Sequence, residues 1–175
     1  MELTENIRKS LREVPDFPKP GILFYDITPV LADGALFADL IDIWAARLKK
    51  LDVNKVVGLE SRGFIFAAPL AARVNAGFVP VRKPGKLPAE VDAVKFETEY
   101  SHDGFELHRD AIKQSDRVAI VDDLLATGGT ALAASKLVEN RGGQIIELSF
   151  LLELDELKGR DKLGDRNINS WLRMS

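Results

Sequence analysis

The chain has 175 residues, the size of one ordinary domain, and its 46% hydrophobic and 29% charged residues allow a sizeable core under a polar surface. A formal net charge of −3 gives no bulk attraction to nucleic acid or a membrane surface, so an anionic ligand needs a local cluster of cations. The absence of Cys excludes disulfides, thiolate catalysis and Cys-based metal sites, and two imidazoles, His102 and His108, are too few for a typical zinc enzyme.

In chain order, Leu3, Ile7 and Leu11 recur every four residues and predict an amphipathic first helix that stops before Pro15. The N-terminus has no apolar stretch of the secretory kind. The longest apolar run, 64–72, falls well short of the roughly 20 residues of a membrane helix, so the expectation is a soluble cytoplasmic protein. PDFPKPG (15–21) holds three prolines and cannot be regular helix. Asp33 is a suitable N-cap for a second helix that presents Leu36, Leu40, Ile43, Trp44 and Leu48 on one face.

Beyond it, β-rich runs at 55–59, 78–81, 117–121 and 144–152 alternate with helical patterns at 64–75 and 130–140. That alternation predicts βαβ units, hence a single α/β domain over 1–175 with a mostly parallel central sheet flanked by helices. The polar, hairpin-like segment 83–110 breaks the pattern, and an excursion of that length predicts a functional loop.

Three clusters carry chemistry on their residues alone. VAIVDDLLATGGT (118–130) runs from an apolar strand through Asp122 and Asp123 into Ala126, Thr127, Gly128, Gly129 and Thr130. Ligands of open α/β sheets sit beyond the carboxyl ends of strands, where this acid pair is expected. The loop then enters a helix, whose N–H groups and dipole suit a phosphate. Acids beside a phosphate cradle fit a phosphorylated sugar with Mg²⁺ nearby; a solvated acidic turn is the plainer reading. Neither a Walker loop nor a Gly-x-Gly-x-x-Gly loop is present. Glu60-Ser61-Arg62-Gly63 follows the 55–59 strand and suits a pyrophosphate oxygen, or else a structural Arg pairing with a surface acid. Arg82, Lys83 and Lys86 place three cations in five residues, a local charge for pyrophosphate or a solvated basic turn.

Position by position, 118–130 resembles the thirteen-residue signature of type I phosphoribosyltransferases, which bind 5-phosphoribosyl-1-pyrophosphate (PRPP). The resemblance implies the type I fold, with a small hood from 15–30 and about 152–163 and a mobile catalytic loop over about 83–110. It also implies that Asp122 and Asp123 hold the ribose hydroxyls and that Ala126, Thr127, Gly128, Gly129 and Thr130 cradle the 5′-phosphate. Glu60, Ser61, Arg62, Arg82, Lys83 and Lys86 would bind pyrophosphate, with a cis Glu60–Ser61 peptide.

FETEYSHDGFELHRDAI (96–112) resembles the family's Glu-Tyr-Gly-x-x-x-Leu-Glu-Ile-x-x-Asp-Ala segment, departing at Ser101 and Phe105 and matching at Glu99, Tyr100, Glu106, Leu107, Asp110 and Ala111. This implies Glu99 as base or relay for a proton of the nucleobase, Tyr100 against the pyrophosphate or the closed loop, and Arg62 on the leaving group. His102 is read as a bystander, His108 and Trp44 as structural.

PDFPKPGILFYDITPVL (15–31) is similar to the hood segment of the adenine-using members, with Tyr25 where they usually have Arg. By that similarity Leu23, Phe24 and Tyr25 contact adenine, Phe24 by stacking. RKPGKLP (82–88) and LLELDELKGRDKL (151–163) resemble further segments of those enzymes, the latter placing Leu154 on the other side of the base.

The resemblance spans roughly residues 10–163 and implies adenine and PRPP as substrates, AMP and pyrophosphate as products, and a role in purine salvage. Mg²⁺ would come with PRPP near Asp122 and Asp123, with no direct protein ligand, and the chain would pair as a homodimer. Two alternatives stay open: a hypoxanthine, guanine or xanthine enzyme, and a PRPP-binding regulator without catalysis. The chain has neither spare length for a DNA-binding domain nor the positive balance of an RNA face.

Overall fold

The computed structural model describes residues 2–98 and 101–175, and the side chains of these other than 96–98 and 101–103. It divides into two compact units, Met1–Trp44 and Ala45–Ser175.

The first unit opens with helix α1 (Glu2–Ser10), whose first turn holds Glu2 and Glu5 and whose last turn holds Arg8 and Lys9, matching the helix dipole at both ends. Strands β1 (Arg12–Pro15) and β2 (Leu23–Asp26) then pair antiparallel, Arg12 opposite Asp26 and Pro15 opposite Leu23. The proline-rich stretch is therefore the connection of a hairpin. Its turn contains a cis Phe17–Pro18 peptide, and the Asp16 carboxylate accepts the Gly21 N–H at 2.7 Å. Asp26 next accepts both the backbone N–H and the hydroxyl of Thr28, at 2.9 and 2.8 Å, opening the short helix α2 (Thr28–Ala32). Asp33 caps α3 (Gly34–Lys50) as expected, accepting from the N–H groups of Ala35 and Leu36 at 3.1 and 3.0 Å. Leu36, Leu40, Trp44 and Leu48 on α3 are buried, but Ile43 is 45% exposed and falls off the expected face.

The second unit is built on a five-stranded sheet in the order β4–β3–β7–β8–β9, every neighbouring pair parallel. In chain order its elements are β3 (Lys55–Leu59), α4 (Gly63–Val74), β4 (Gly77–Val81), the antiparallel hairpin β5 (Val91–Thr98) and β6 (Ser101–His108), β7 (Arg117–Leu125), α5 (Gly129–Asn140), β8 (Gln144–Leu154), α6 (Gly159–Leu163) and β9 (Ile168–Met174). The central strands are apolar almost without alternation: Val56, Val57 and Leu59, then Val118 to Val121, then Leu148 and Phe150 to Leu152, all buried. That is the pattern of a parallel sheet covered on both faces, and burying each such side chain contributes roughly 1.5–3 kcal/mol.

Three further features depart from the sequence reading. The strand expected over 117–121 continues to Leu125, because β8 keeps pairing with it as far as Leu125 opposite Glu153. Asp122 and Asp123 therefore lie within β7 and not beyond its end. The β1–β2 hairpin and the edge strand β9 have no counterpart in the sequence reading.

Candidate active site

The carboxyl end of β3 lies beside the middle of β7, Gly58 opposite Val121, and each strand runs into a loop and then a helix. Between β3 and α4 the Glu60–Ser61 peptide is cis, as the resemblance implied. Arg62 follows, and its Nε forms an ion pair with Asp123 Oδ2 at 2.8 Å. The turn sits so close to β7 that a Cβ at Gly63 would lie 2.8 Å from the Val121 carbonyl oxygen and 2.9 Å from Asp122 Oδ1. Any side chain at position 63 would push the Arg62 loop off the acid pair.

Asp123 is 5% exposed, and its own N–H donates to Asp122 Oδ1 at 2.9 Å. Burial, reinforced by the charge of Asp123, holds the Asp122 carboxyl well above the usual carboxylate range, with Arg62 pulling the other way. Burial also raises Asp123, offset in part by Arg62 and by hydrogen bonds. Two carboxylates held this way favour any incoming group that brings positive charge or hydroxyl donors.

Beyond β7, Gly128 caps α5 with φ of 79°, a left-handed conformation that suits glycine. Thr127 and Thr130 are exposed on either side of it, at the N-terminal end of α5. The loop is backed by a second glycine that the sequence reading passed over. A Cβ at Gly128 would lie 2.5 Å from the Gly159 carbonyl oxygen, and one at Gly159 would run into the Ala126 carbonyl. The 3₁₀ turn Asp155–Leu157 and α6 deliver Gly159 to that spot. Arg160 fastens this segment to the end of β8, donating from Nε and Nη2 to the two oxygens of Glu153 at 2.6 and 2.7 Å. No local signal in Lys158-Gly159-Arg160 points to it in the sequence.

The basic turn is gripped from two sides. Glu60 Oε2 accepts the Lys83 N–H at 2.8 Å and Arg82 Nε at 3.3 Å, and Glu60 Oε1 accepts Arg82 Nη2 at 3.4 Å. Although burial opposes it, the Lys83 N–H and the Arg82 guanidinium hold Glu60 below its usual pKa. The Glu60 carboxylate is thus committed to the basic turn, while Ser61 and Arg62 next to it are both exposed. Lys83 and Lys86 are exposed as well.

Among the residues expected at the nucleobase, Leu23, Phe24 and Tyr25 form consecutive positions of β2 in the first unit. Leu23 is 43% exposed, and Phe24 meets Phe17 edge to face with centroids 5.1 Å apart. Leu154, in the second unit, is half-buried at the last position of β8. The expected catalytic residues Glu99 and Tyr100 lie outside the described residues.

Residues 30–171 match the phosphoribosyl transferase domain family. The chain is 52% identical over 170 residues to an adenine phosphoribosyltransferase of Myxococcus xanthus, covering 97% of this chain and 92% of that protein. It is likewise 52% identical over 161 residues to adenine phosphoribosyltransferase 1 of Triticum aestivum, covering 92% of this chain and 89% of that protein. Among solved structures, the adenine phosphoribosyltransferase of Thermoanaerobacter pseudethanolicus superposes with a TM-score of 0.93 at 50% identity over 98% of this chain and 99% of that one. That of Saccharomyces cerevisiae, solved with an imino-altritol bisphosphate and adenine, gives 0.94 at 42% identity over 98% and 99%.

Proposed function

The chain belongs to the phosphoribosyl transferase family, and from that premise we propose that it joins adenine to PRPP, releasing AMP and pyrophosphate. The observation that carries the reading is the acid pair of β7 running straight into the Gly128-capped start of α5, in a chain about half identical to adenine-using relatives.

In this reading Asp122 and Asp123 accept hydrogen bonds from the ribose hydroxyls, while the N–H groups of 126–130 hold the 5′-phosphate against the dipole of α5. The bond from C1 of the ribose to pyrophosphate breaks with its electron pair leaving on the pyrophosphate. Positive charge then develops on the sugar, and adenine N9 closes on C1. Arg62, Ser61, Arg82, Lys83 and Lys86 stabilise the departing anion. Glu60 holds the basic turn in place for them. Glu99 takes the N9 proton, and Tyr100 orders the loop that excludes water. Leu23, Phe24, Tyr25 and Leu154 contact adenine, Phe24 across its face.

The adjacent carboxylates Asp122 and Asp123 are hard oxygen donors that suit Mg²⁺ held through water, together with the phosphate oxygens of a substrate. When bound with PRPP it would neutralise part of the pyrophosphate charge, with Asp122 and Asp123 nearby through water. Among the described residues no helix is long and apolar enough to cross a membrane. A cytoplasmic homodimer active in purine salvage completes the reading.

The test is a spectrophotometric assay with PRPP and Mg²⁺, offering adenine, hypoxanthine, guanine and xanthine in parallel. AMP from adenine alone supports the reading. Turnover of an oxopurine would overturn the choice of base and keep the PRPP site. PRPP binding without turnover of any base would leave a regulator.

A further inference from the structure

Arg82 and Glu106 form an isolated antiparallel bridge: the Arg82 N–H donates to the Glu106 carbonyl at 3.0 Å, and the Glu106 N–H donates to the Arg82 carbonyl at 2.7 Å. The same glutamate reaches over the turn with its side chain, where Glu106 Oε2 accepts the Gly85 N–H at 2.9 Å. Gly85 has φ of 76°, a left-handed conformation at the apex of a turn that Arg82 Nη1 closes by donating to the Lys86 carbonyl at 3.3 Å. Glu106 thus holds the turn by main chain at its first residue and by side chain at its apex. Glu60 holds the opposite side through Lys83 N–H and the Arg82 guanidinium. The turn bears Arg82, Lys83 and Lys86, and Glu106 belongs to β6, one arm of the hairpin that flanks Glu99 and Tyr100.

We propose that Glu106 is a positioning residue for PRPP binding: its carboxylate fixes the 82–86 turn so that the three cations face the pyrophosphate, and it ties that turn to the β5–β6 hairpin. The proposal rests on the PRPP-site reading above. Without the acceptor, the apex N–H has no carboxylate to hold it and the cations spread over more arrangements. Fewer of these meet pyrophosphate, which weakens PRPP binding and leaves adenine binding alone.

The experiment compares Glu106→Ala and Glu106→Gln with the unaltered chain, measuring the KM for PRPP, the KM for adenine, kcat and Tm. It adds calorimetric titration with PRPP and Mg²⁺ without adenine. The expected result is a PRPP KM about tenfold higher in Glu106→Ala, the worth of one charge-assisted hydrogen bond, with adenine KM and Tm little changed. Glu106→Gln keeps an acceptor oxygen and should recover most of the loss, to within about threefold. Unchanged PRPP KM in Glu106→Ala would overturn the proposal. So would an equal loss for both substrates with a fallen Tm, which marks a role in stability alone. If the unaltered chain binds PRPP without turning over adenine, the titration still decides: weaker PRPP binding in Glu106→Ala keeps the proposal while the adenine reading fails. A chain that binds no PRPP overturns both.

Discussion

Asp122 and Glu153 affect stability with opposite sign. Asp122 carries a folded pKa well above its unfolded value of about 3.9. As pH rises through the interval between these values, the unfolded chain gives up its proton first, so the folded state is progressively disfavoured. Glu153 is the reverse case. It is buried, yet the bidentate Arg160 and a hydrogen bond from Ser170 hold it below the usual range, so its contribution is present above about pH 4.3 and lost as pH falls through the lower folded value. Asp122→Asn should therefore unfold at higher urea than the unaltered chain at pH 7, with the advantage closing as pH falls to about 4. The same substitution should lower kcat/KM for PRPP by about ten- to a hundredfold, the cost of losing a charged acceptor for the ribose. Glu153→Gln should lose roughly 1–2 kcal/mol at pH 7, a discounted figure because the Arg160 side chain is 38% exposed, and progressively less as pH falls below the unfolded value and through the lower folded one. Urea midpoints between pH 3 and 8 separate the two. Buried acids with raised pKa values are what the proposed PRPP site requires of Asp122 and Asp123.

At the scale of elements, the 126–130 loop depends on a reciprocal fit of two glycines from distant parts of the chain. Gly128→Ala meets both a left-handed φ and the Gly159 carbonyl, whereas Gly159→Ala meets only the Ala126 carbonyl and the Leu125 side chain. Both substitutions should raise the PRPP KM, and Gly128→Ala should also lower Tm, since its strain adds about 1 kcal/mol or more. An alanine at either position that left the PRPP KM unchanged would show that the loop does not hold the phosphate. Gly128 was legible beforehand, because a Thr-Gly-Gly-Thr loop before a helical pattern states its own purpose. Gly159 was not, since nothing local to Lys158-Gly159-Arg160 says that it backs a loop some thirty residues earlier. The same divide runs through the fold. The βαβ alternation and the 83–110 hairpin were readable from short-range pattern, and so was the Asp33 cap. β1 and β2 were hidden because each has only 4 residues and prolines fill the turn between them. β9 was hidden because Ile-Asn-Ser-Trp-Leu-Arg-Met is half polar and becomes a strand only by pairing with β8. The extension of β7 through two acids runs against strand propensity, and pairing with β8 overrides it.

For the whole molecule, the destabilising acids and the PRPP proposed to bind them are two sides of one equilibrium. A ligand that binds only the folded chain adds RT ln(1 + [L]/Kd), about 2.7 kcal/mol at a hundred times Kd. For a protein of this size that is a rise in Tm of about 5–10 °C. PRPP with Mg²⁺ should produce such a rise, because its hydroxyls and accompanying cation satisfy Asp122 and Asp123 while Arg62 and the basic turn meet its pyrophosphate. Chelating the Mg²⁺ should remove much of the shift, since the carboxylates and the pyrophosphate then face each other with less charge between them. The decisive comparison is with Asp122→Asn. That variant should start from a higher Tm in buffer and gain less from the ligand, so that the two chains exchange order as PRPP and Mg²⁺ are added. A thermal scan across a ligand series measures this directly. If both chains gained equally, the acid pair would not contact PRPP, and the raised pKa of Asp122 would be a feature of the sheet end alone.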